Sequence, residues 1–319
     1  MTEEQKTREE WFTKWAKATL TPIKQPHYLP KKRMAEYHAM PGANGSTFLH
    51  DTPAHMKHEA MMPPEINYAF ALGDAVHIAT LEPQRFDKER GEEEYFQYSP
   101  TKTLDSKAAI QAFEADPSKP LVTPELISKA RFMRDAIFKN QMAKKLLSPP
   151  AEKELSGFCW DEEVQCLKKI RIDFRPKKGN YLVDLKTAES VNEAAFWNSV
   201  KKYKYGAKCA FYLDCDGEIS GTLPRELFFL IAVEGPKAAN AGVFDAPYVA
   251  RVFEIASPVQ ELSLIEEGRA FYRDRLGKFA EAARTNCWEA WDFQQEAEVL
   301  TTFRPRYRFN RTQDKGDEP

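Results

Sequence analysis

The chain predicts an α/β protein in which a mixed central β-sheet is flanked by helices, and three observations carry that prediction. Three strand-like runs, "EKELSGFCW", "QCLKKIRIDFRP" and "NYLVDLKTA", follow one another with only "DEE" and "KKG" turn segments between them, as in an antiparallel meander. A helical stretch then intervenes before two further strands, "RELFFLIAVEG" and "YVARVFEIA". Helical patterns precede the meander and close the chain, so strands and helices are mixed along one sequence rather than segregated.

Taken in order, residues 1 to about 19 read as an amphipathic helix with Trp11, Phe12 and Trp15 on one side, an arm for packing or oligomer contact. The connector "TPIKQPHYLPKK" reads as neither helix nor central strand, because each proline removes a backbone donor. In "EYHAMPGANGSTFLHDTPAHMKHEA", Asn44, Ser46 or Thr47 can cap a short helix, and Pro53 can begin another after Asp51 or Thr52. Apolar residues at helical spacing run through "NYAFALGDAVHIATLEPQRF", with Gly73, His77 and Leu81 on one stripe and an end at Pro83. Residues 88–122 are charged and irregular, with helical potential around "SKAAIQAFEA". Thr123 and Pro124 open a helix that continues to the "SPP" break. Beyond the meander, "NEAAFWNSVKKYKYGAKCAFYLD" reads as one helix and "PVQELSLIEEGRAFYRDRLGKFAEAAR" as another, before a polar tail that frays. The expected division is an arm and connector over 1–34, one domain over 35–285, and an extension with a basic tail over 286–319.

With 319 residues, 42% of them hydrophobic, the chain can bury a sizeable core. No run of 18 apolar residues exists, and the first twenty residues are charged where a signal peptide needs an apolar stretch, so no membrane association is expected and a cytoplasmic location is. The five cysteines are odd in number and form no C-x-x-C pair, which argues for ordinary reduced residues over a disulfide framework or a zinc site. A net charge of −2 removes any argument from overall basicity, so a nucleic-acid reading must rest on local clusters.

One such cluster surrounds the most informative tripeptide. In "YLVDLKTAES", alternate side chains of a strand share a face, so Asp184 and Lys186 project side by side while Val183 and Leu185 pack behind them. Taken alone, the tripeptide fits an ordinary ion pair better than an active site, since Asp-x-Lys is a common surface pattern. Asp173, eleven residues upstream in "RIDF", can reach the same place from the neighbouring strand. Two carboxylates and a lysine suit a divalent-metal hydrolase, in which hard oxygen ligands hold Mg²⁺. Lys168, Lys169, Arg171, Arg175, Lys177 and Lys178 surround Asp173, and Lys201, Lys202, Tyr203, Lys204, Tyr205 and Lys208 follow on the next helix. Such groups can neutralise phosphates and stack on an unpaired base, and the tail arginines Arg304, Arg306, Arg308 and Arg311 could extend the track. There is no G-x-x-x-x-G-K-[ST] loop, so no ATP is expected to be needed.

The segments "GDAVHIATLEP", "RIDF", "LVDLKTA" and "YKYGAKCAFYLD", in this order and spacing, resemble the PD-(D/E)XK nuclease superfamily. The likeness, over about residues 35 to 280, is to the exonuclease VIII-like branch of phage and prophage recombination exonucleases, related to RecB-type nuclease domains. The resemblance implies a restriction-endonuclease-like core. It makes His77, Asp173, Asp184 and the Leu185 backbone carbonyl metal ligands and Lys186 the catalytic lysine, with Asp173 and Asp184 counted among the catalytic groups. Glu82 and Glu154 fall near positions where relatives carry acids, and Glu82 reads more readily as a helix-end residue before Pro83. Lys208 stands where the family has glutamine in Gln-x-x-x-Tyr, with Tyr212 retained; lysine only donates where an amide also accepts. Lys208, which could still hold a phosphate, and Tyr212, Tyr205, Arg171 and Arg175 would support DNA contact.

The implied activity is a Mg²⁺-dependent exodeoxyribonuclease, with Mn²⁺ able to substitute, that degrades one strand of duplex DNA 5′ to 3′ without ATP. It would leave a 3′ strand for a single-strand annealing protein in phage-type recombination, in a bacterial or phage-infected cell. A ring-like homo-oligomer is also implied. An iron–sulfur cluster is not expected, because no cysteine precedes His77 and only Cys287 lies near the C-terminus. An endonuclease or single-strand nuclease of the same superfamily, and a DNA-binding scaffold without catalysis, are the competing readings.

Overall fold

The computed structural model describes residues 3–29, 34–62, 66–86, 96–116, 119–235, 248–255 and 264–289. The tail arginines and the 88–95 segment lie outside the described residues. The meander is present as expected: β4 (Ala151–Asp161), β5 (Cys166–Pro176) and β6 (Tyr181–Thr187) run antiparallel to one another. β7 (Leu227–Glu234) then pairs parallel with β6, and β8 (Val249–Glu254) closes that edge antiparallel, which makes the sheet mixed. The other edge is β1 (His27–Leu29), antiparallel to β4, giving the order β1-β4-β5-β6-β7-β8. β1 lies in the proline connector read as irregular; proline is tolerated there because an edge strand pairs on one side only.

Helices cover both faces. On one side, α1 (Glu3–Thr19), the short α2 (Met34–Ala39) and α3 (Gly45–Phe48), and α4 (Pro53–Met61) lie near the N-terminus. Asn44 caps α3 through a reciprocal bond with Thr47, and Thr52 caps α4 ahead of Pro53, each worth about 1 kcal/mol. α5 (Tyr68–Leu81) ends at Glu82, its C-cap, and α6 (Pro83–Phe86) follows Pro83. The charged segment holds β2 (Gln97–Tyr98), α7 (Lys107–Ala115) and β3 (Leu121–Val122), with β2 and β3 forming a small parallel pair that the sequence reading did not contain. The helix opened by Thr123 is two helices, α8 (Pro124–Lys139) and α9 (Gln141–Leu147), because Asn140 ends the first and caps the second.

The single helix expected after the meander is likewise two, α10 (Glu193–Lys202) and α11 (Tyr205–Ser220). The break is at Lys204, whose φ of +55 turns the chain, while its ammonium donates to Leu49 O and Asp51 Oδ1. α12 (Leu264–Thr285) closes the described chain.

Strand alternation divides the apolar residues between two cores. Leu182, Phe228 and Leu230 pack with Phe48, Phe211 and Phe279 under α3, α11 and α12, and α1 contributes Phe12 and Trp15 to the same core. Val183, Leu185, Phe229 and Ile231 pack on the opposite face with Val76 of α5 and Met133 of α8. Val183 and Leu185 therefore lie behind Asp184 and Lys186, as strand periodicity requires. Among the described residues, no helix is long and apolar enough to cross a membrane.

Candidate active site

The site forms where β5 and β6 separate. Their ladder holds one pair, Phe174 with Val183, and beyond it Asp173 Oδ2 accepts the Leu185 N–H at 2.7 Å. A carboxylate thus satisfies a backbone donor that a continuous ladder would have paired. On its other side Asp173 falls opposite Glu154, between the pairs Lys153–Phe174 and Leu155–Ile172. Glu154 has a φ of +50, a conformation that costs an L-residue roughly 1–2 kcal/mol. The alternation of β5 slips at the same level: Ile170 and Ile172 face one core and Phe174 the other.

His77 reaches this gap from α5, where Gly73 faces Thr187 and a Cβ would lie in ordinary contact with Thr187 Oγ1 at 3.6 Å. His77 Nδ1 lies 3.5 Å from Glu154 Oε1 and 3.6 Å from Asp173 Oδ2. Its Nε2 lies 3.1 Å from the Leu185 carbonyl. A carbonyl only accepts, so Nε2 carries a proton and Nδ1 is the atom that faces the carboxylates. One ligand atom from each of His77, Glu154 and Asp173 lies within 4.8 Å of the others.

The electrostatics of the group bind protons where a cation could sit. Burial disfavours a charged imidazole, but Asp173 and Glu154 outweigh it and push His77 up to about 9. Burial, reinforced by Asp184, lifts the Asp173 carboxyl to about 7. Burial would also raise Glu154, yet His77 and Arg171 more than offset it and hold that carboxyl below its usual range. Glu154 Oε1 is nevertheless buried without a hydrogen bond. An imidazole nitrogen and two carboxylate oxygens, one of them the unsatisfied Glu154 Oε1, make a set that fits a hard divalent cation.

Asp184 and Lys186 lie beside this group and pair with each other. Burial works against the Lys186 ammonium, but Asp184 and Asp173 keep its pKa well above the usual lysine value. Lys186 Nζ stands 5.7 Å from the Tyr205 ring centre on α11. The residues that could share a cation are thus His77, Glu154 and Asp173, while Asp184 pairs with Lys186 and the Leu185 carbonyl meets His77 Nε2–H.

The basic cluster needs a correction. Arg171 Nε donates to Glu154 at 2.8 Å, and Arg175 donates to Asp216 at 2.5 Å and to Glu152 at 3.0 Å. Lys168 is buried between Asp161 and Glu218, and Lys169 is buried with its ammonium on the carbonyls of Tyr37, His38 and Met40. These four cations are matched inside the protein, whereas Lys177, Lys178, Lys201 and Lys202 are exposed. Exposed Tyr203 stacks on buried Tyr205, with ring centres 5.8 Å apart. Tyr212 is half-buried; burial, with the charges of Asp184 and Asp173 among its neighbours, drives its hydroxyl pKa up. Glu82 serves as the α5 C-cap and is not in the ligand group.

Sequence reasoning passed over Asp74. It sits one turn before His77 on α5, and burial lifts its carboxyl to about 6, with Glu154 adding to the rise and His77 and Arg171 opposing it. The signal was the Asp-x-x-His spacing inside "GDAVH", which puts both on one helix face.

A family model described as a PDDEXK-like domain of unknown function (DUF3799) matches residues 49–263. Among solved structures, the chain is similar to one titled SSO0001, at 11% identity and a TM-score of 0.29, covering 88% of this chain and 86% of that one. It is also similar to a phage-related exonuclease from Haemophilus somnus 129PT, at 9% identity and a TM-score of 0.30, covering 66% of this chain and 94% of that one. The comparison with curated proteins gives no match.

Proposed function

The chain belongs to the PDDEXK-like family of that model, and from this premise we propose that it is a divalent-metal-dependent exodeoxyribonuclease acting on ends of double-stranded DNA. The observation that carries the reading is the convergence of His77, Glu154 and Asp173 beside the Asp184–Lys186 pair. His77, Glu154 and Asp173 would hold the cation, Mg²⁺ with Mn²⁺ as a substitute, and Asp184 would join from the side while still paired with Lys186. Bound there, a divalent cation supplies Lewis acidity toward a phosphoryl oxygen and the attacking water.

The chain's own groups do the rest. Asp173 keeps the β5–β6 gap open by bonding Leu185 N–H, and His77 Nε2–H on the Leu185 carbonyl fixes the ring so that Nδ1 faces inward. Asp184 orients Lys186, whose ammonium donates to the phosphoryl oxygens as charge builds on them. Exposed Lys177, Lys178, Lys201 and Lys202 neutralise phosphates farther along the strand. The end-directed, 5′ to 3′, ATP-independent course, a role in phage-type recombination with an annealing partner, and a ring-like homo-oligomer are supported by the sequence resemblance.

The test uses a linear duplex labelled separately at its 5′ and 3′ ends beside a covalently closed circle, with and without Mg²⁺. Loss of the 5′ label with the circle intact and no ATP added is expected. Asp173→Ala and Lys186→Ala should each lower the rate by about 10²-fold or more. Cutting of the circle would replace the reading with an endonuclease, and undiminished activity in Asp173→Ala would overturn the site.

A further inference from the structure

Lys208 lies at the second turn of α11 and is half-buried. Its stem runs along Gly45 at the start of α3, where a Cβ would come within 3.3 Å of Lys208 Cγ and 3.8 Å of Cδ. Any larger residue at 45 would press on that stem, so the lysine is seated rather than loose. Its Nζ stands 5.9 Å from the centre of the Tyr205 ring, the same ring that Lys186 Nζ approaches at 5.7 Å. Two ammonium groups therefore flank one aromatic at the edge of the site.

Their situations differ. Lys186 has Asp184. Lys204, one turn before Lys208, has Asp51 and the Leu49 carbonyl. Buried Lys168 has two carboxylates, and buried Lys169 has three carbonyls. Among the described residues no hydrogen bond or ion pair engages the Lys208 ammonium. Burial, with Lys186 nearby, correspondingly pushes its pKa down. A half-buried cation without an anion is costly, and the cost is relieved when an anion arrives.

We infer that Lys208 is a substrate-contacting residue, its ammonium binding one phosphate of the DNA strand that lies beside the Asp184–Lys186 pair. The inference rests on the nuclease reading above and adds a second cation to it. Lys186 is oriented by its aspartate, while Lys208 has no direct anionic partner among the described residues until the substrate brings one. A lysine suits the task as a compact point charge with three rotatable donors.

The experiment replaces single phosphates of a short duplex end, one position at a time, by uncharged methylphosphonate. Affinity is measured for the wild-type protein and for Lys208→Met, which keeps the stem and removes the charge, with Ca²⁺ as the cation. On unmodified DNA, Lys208→Met should bind about tenfold more weakly, and its plot of log affinity against log salt should be shallower by about one unit. At one methylphosphonate position that tenfold difference should collapse to near unity, because the phosphate charge that Lys208 meets is gone. A merely structural lysine would give the same ratio at every position, and that result, or wild-type affinity in Lys208→Met, overturns the inference. Lys208→Arg should recover most of the binding; should Lys208→Met not fold, Lys208→Gln takes its place in the same series. If wild-type protein binds but cuts no DNA, the nuclease reading falls while the methylphosphonate ratio still decides Lys208; if it binds no DNA, both fall.

Discussion

At the scale of single residues, two groups of the site hold their protons more tightly than usual, and a bound cation would compete with those protons. His77 is raised to about 9 and Asp173 to about 7, each above its ordinary value. A group with a raised folded pKa contributes stability below its unfolded pKa and loses it as pH climbs through the folded one. The metal-free protein should therefore lose stability from Asp173 up to about pH 7 and from His77 up to about pH 9. Divalent-cation affinity should rise over the same span, with protons released on binding, more at pH 6 than at pH 8. Calorimetric titration of Mn²⁺ in buffers of different ionisation enthalpy reads that release directly, and uptake indifferent to pH would contradict the assignment. The placement of Asp184 beside Lys186 was legible in the sequence from strand alternation, and that of Asp173 from the neighbouring strand-like run. Glu154 was harder to see, because it faces Asp173 only through a left-handed turn in mid-strand that no periodicity announces. Asp74 was legible by spacing and was overlooked beside the more conspicuous histidine.

At the scale of elements, α11 sets Tyr205 and Lys208 beside the strand that carries Lys186, and its own position depends on α12. The two helices touch backbone to backbone: a Cβ at Gly268 would come within 2.6 Å of Ala207 N, and one at Gly206 within 2.8 Å of Leu264 Cγ. Gly268→Ala should force them apart at a cost of about 1–3 kcal/mol. We expect a thermal midpoint lower by several degrees and a fall in nuclease rate as Tyr205 and Lys208 shift, both measurable on one preparation. The strands of the meander were readable because each is long, apolar and bounded by turn residues. β1 was not, since three residues between prolines become a strand only where β4 offers an edge. The break between α10 and α11 escaped notice for a related reason: Lys204 takes the left-handed turn where glycine would have advertised it.

At the scale of the molecule, the sheet separates two cores, and the family match begins at residue 49 although earlier residues are woven into one of them. Phe12 and Trp15 are buried there, and β1 covers β4. A variant lacking residues 1–29 should lose both aromatic anchors, at about 3–5 kcal/mol each for large side chains, and expose a long strand edge. Its expected behaviour is a depressed denaturation midpoint and self-association, read by chemical unfolding and size-exclusion chromatography; a monomer as stable as the full chain would refute this. The buried ammonium of Lys169 also bears on how the chain assembles. Its partners are carbonyls 129 to 132 residues earlier in the chain. Residues 37–40 therefore leave the ribosome long before the lysine that fixes them, and contacts of such separation close late. These three hydrogen bonds of the stretch synthesised earlier can form only once the β4–β5 hairpin has set Lys169 in place, so this part of the N-terminal region waits on chain made long after it.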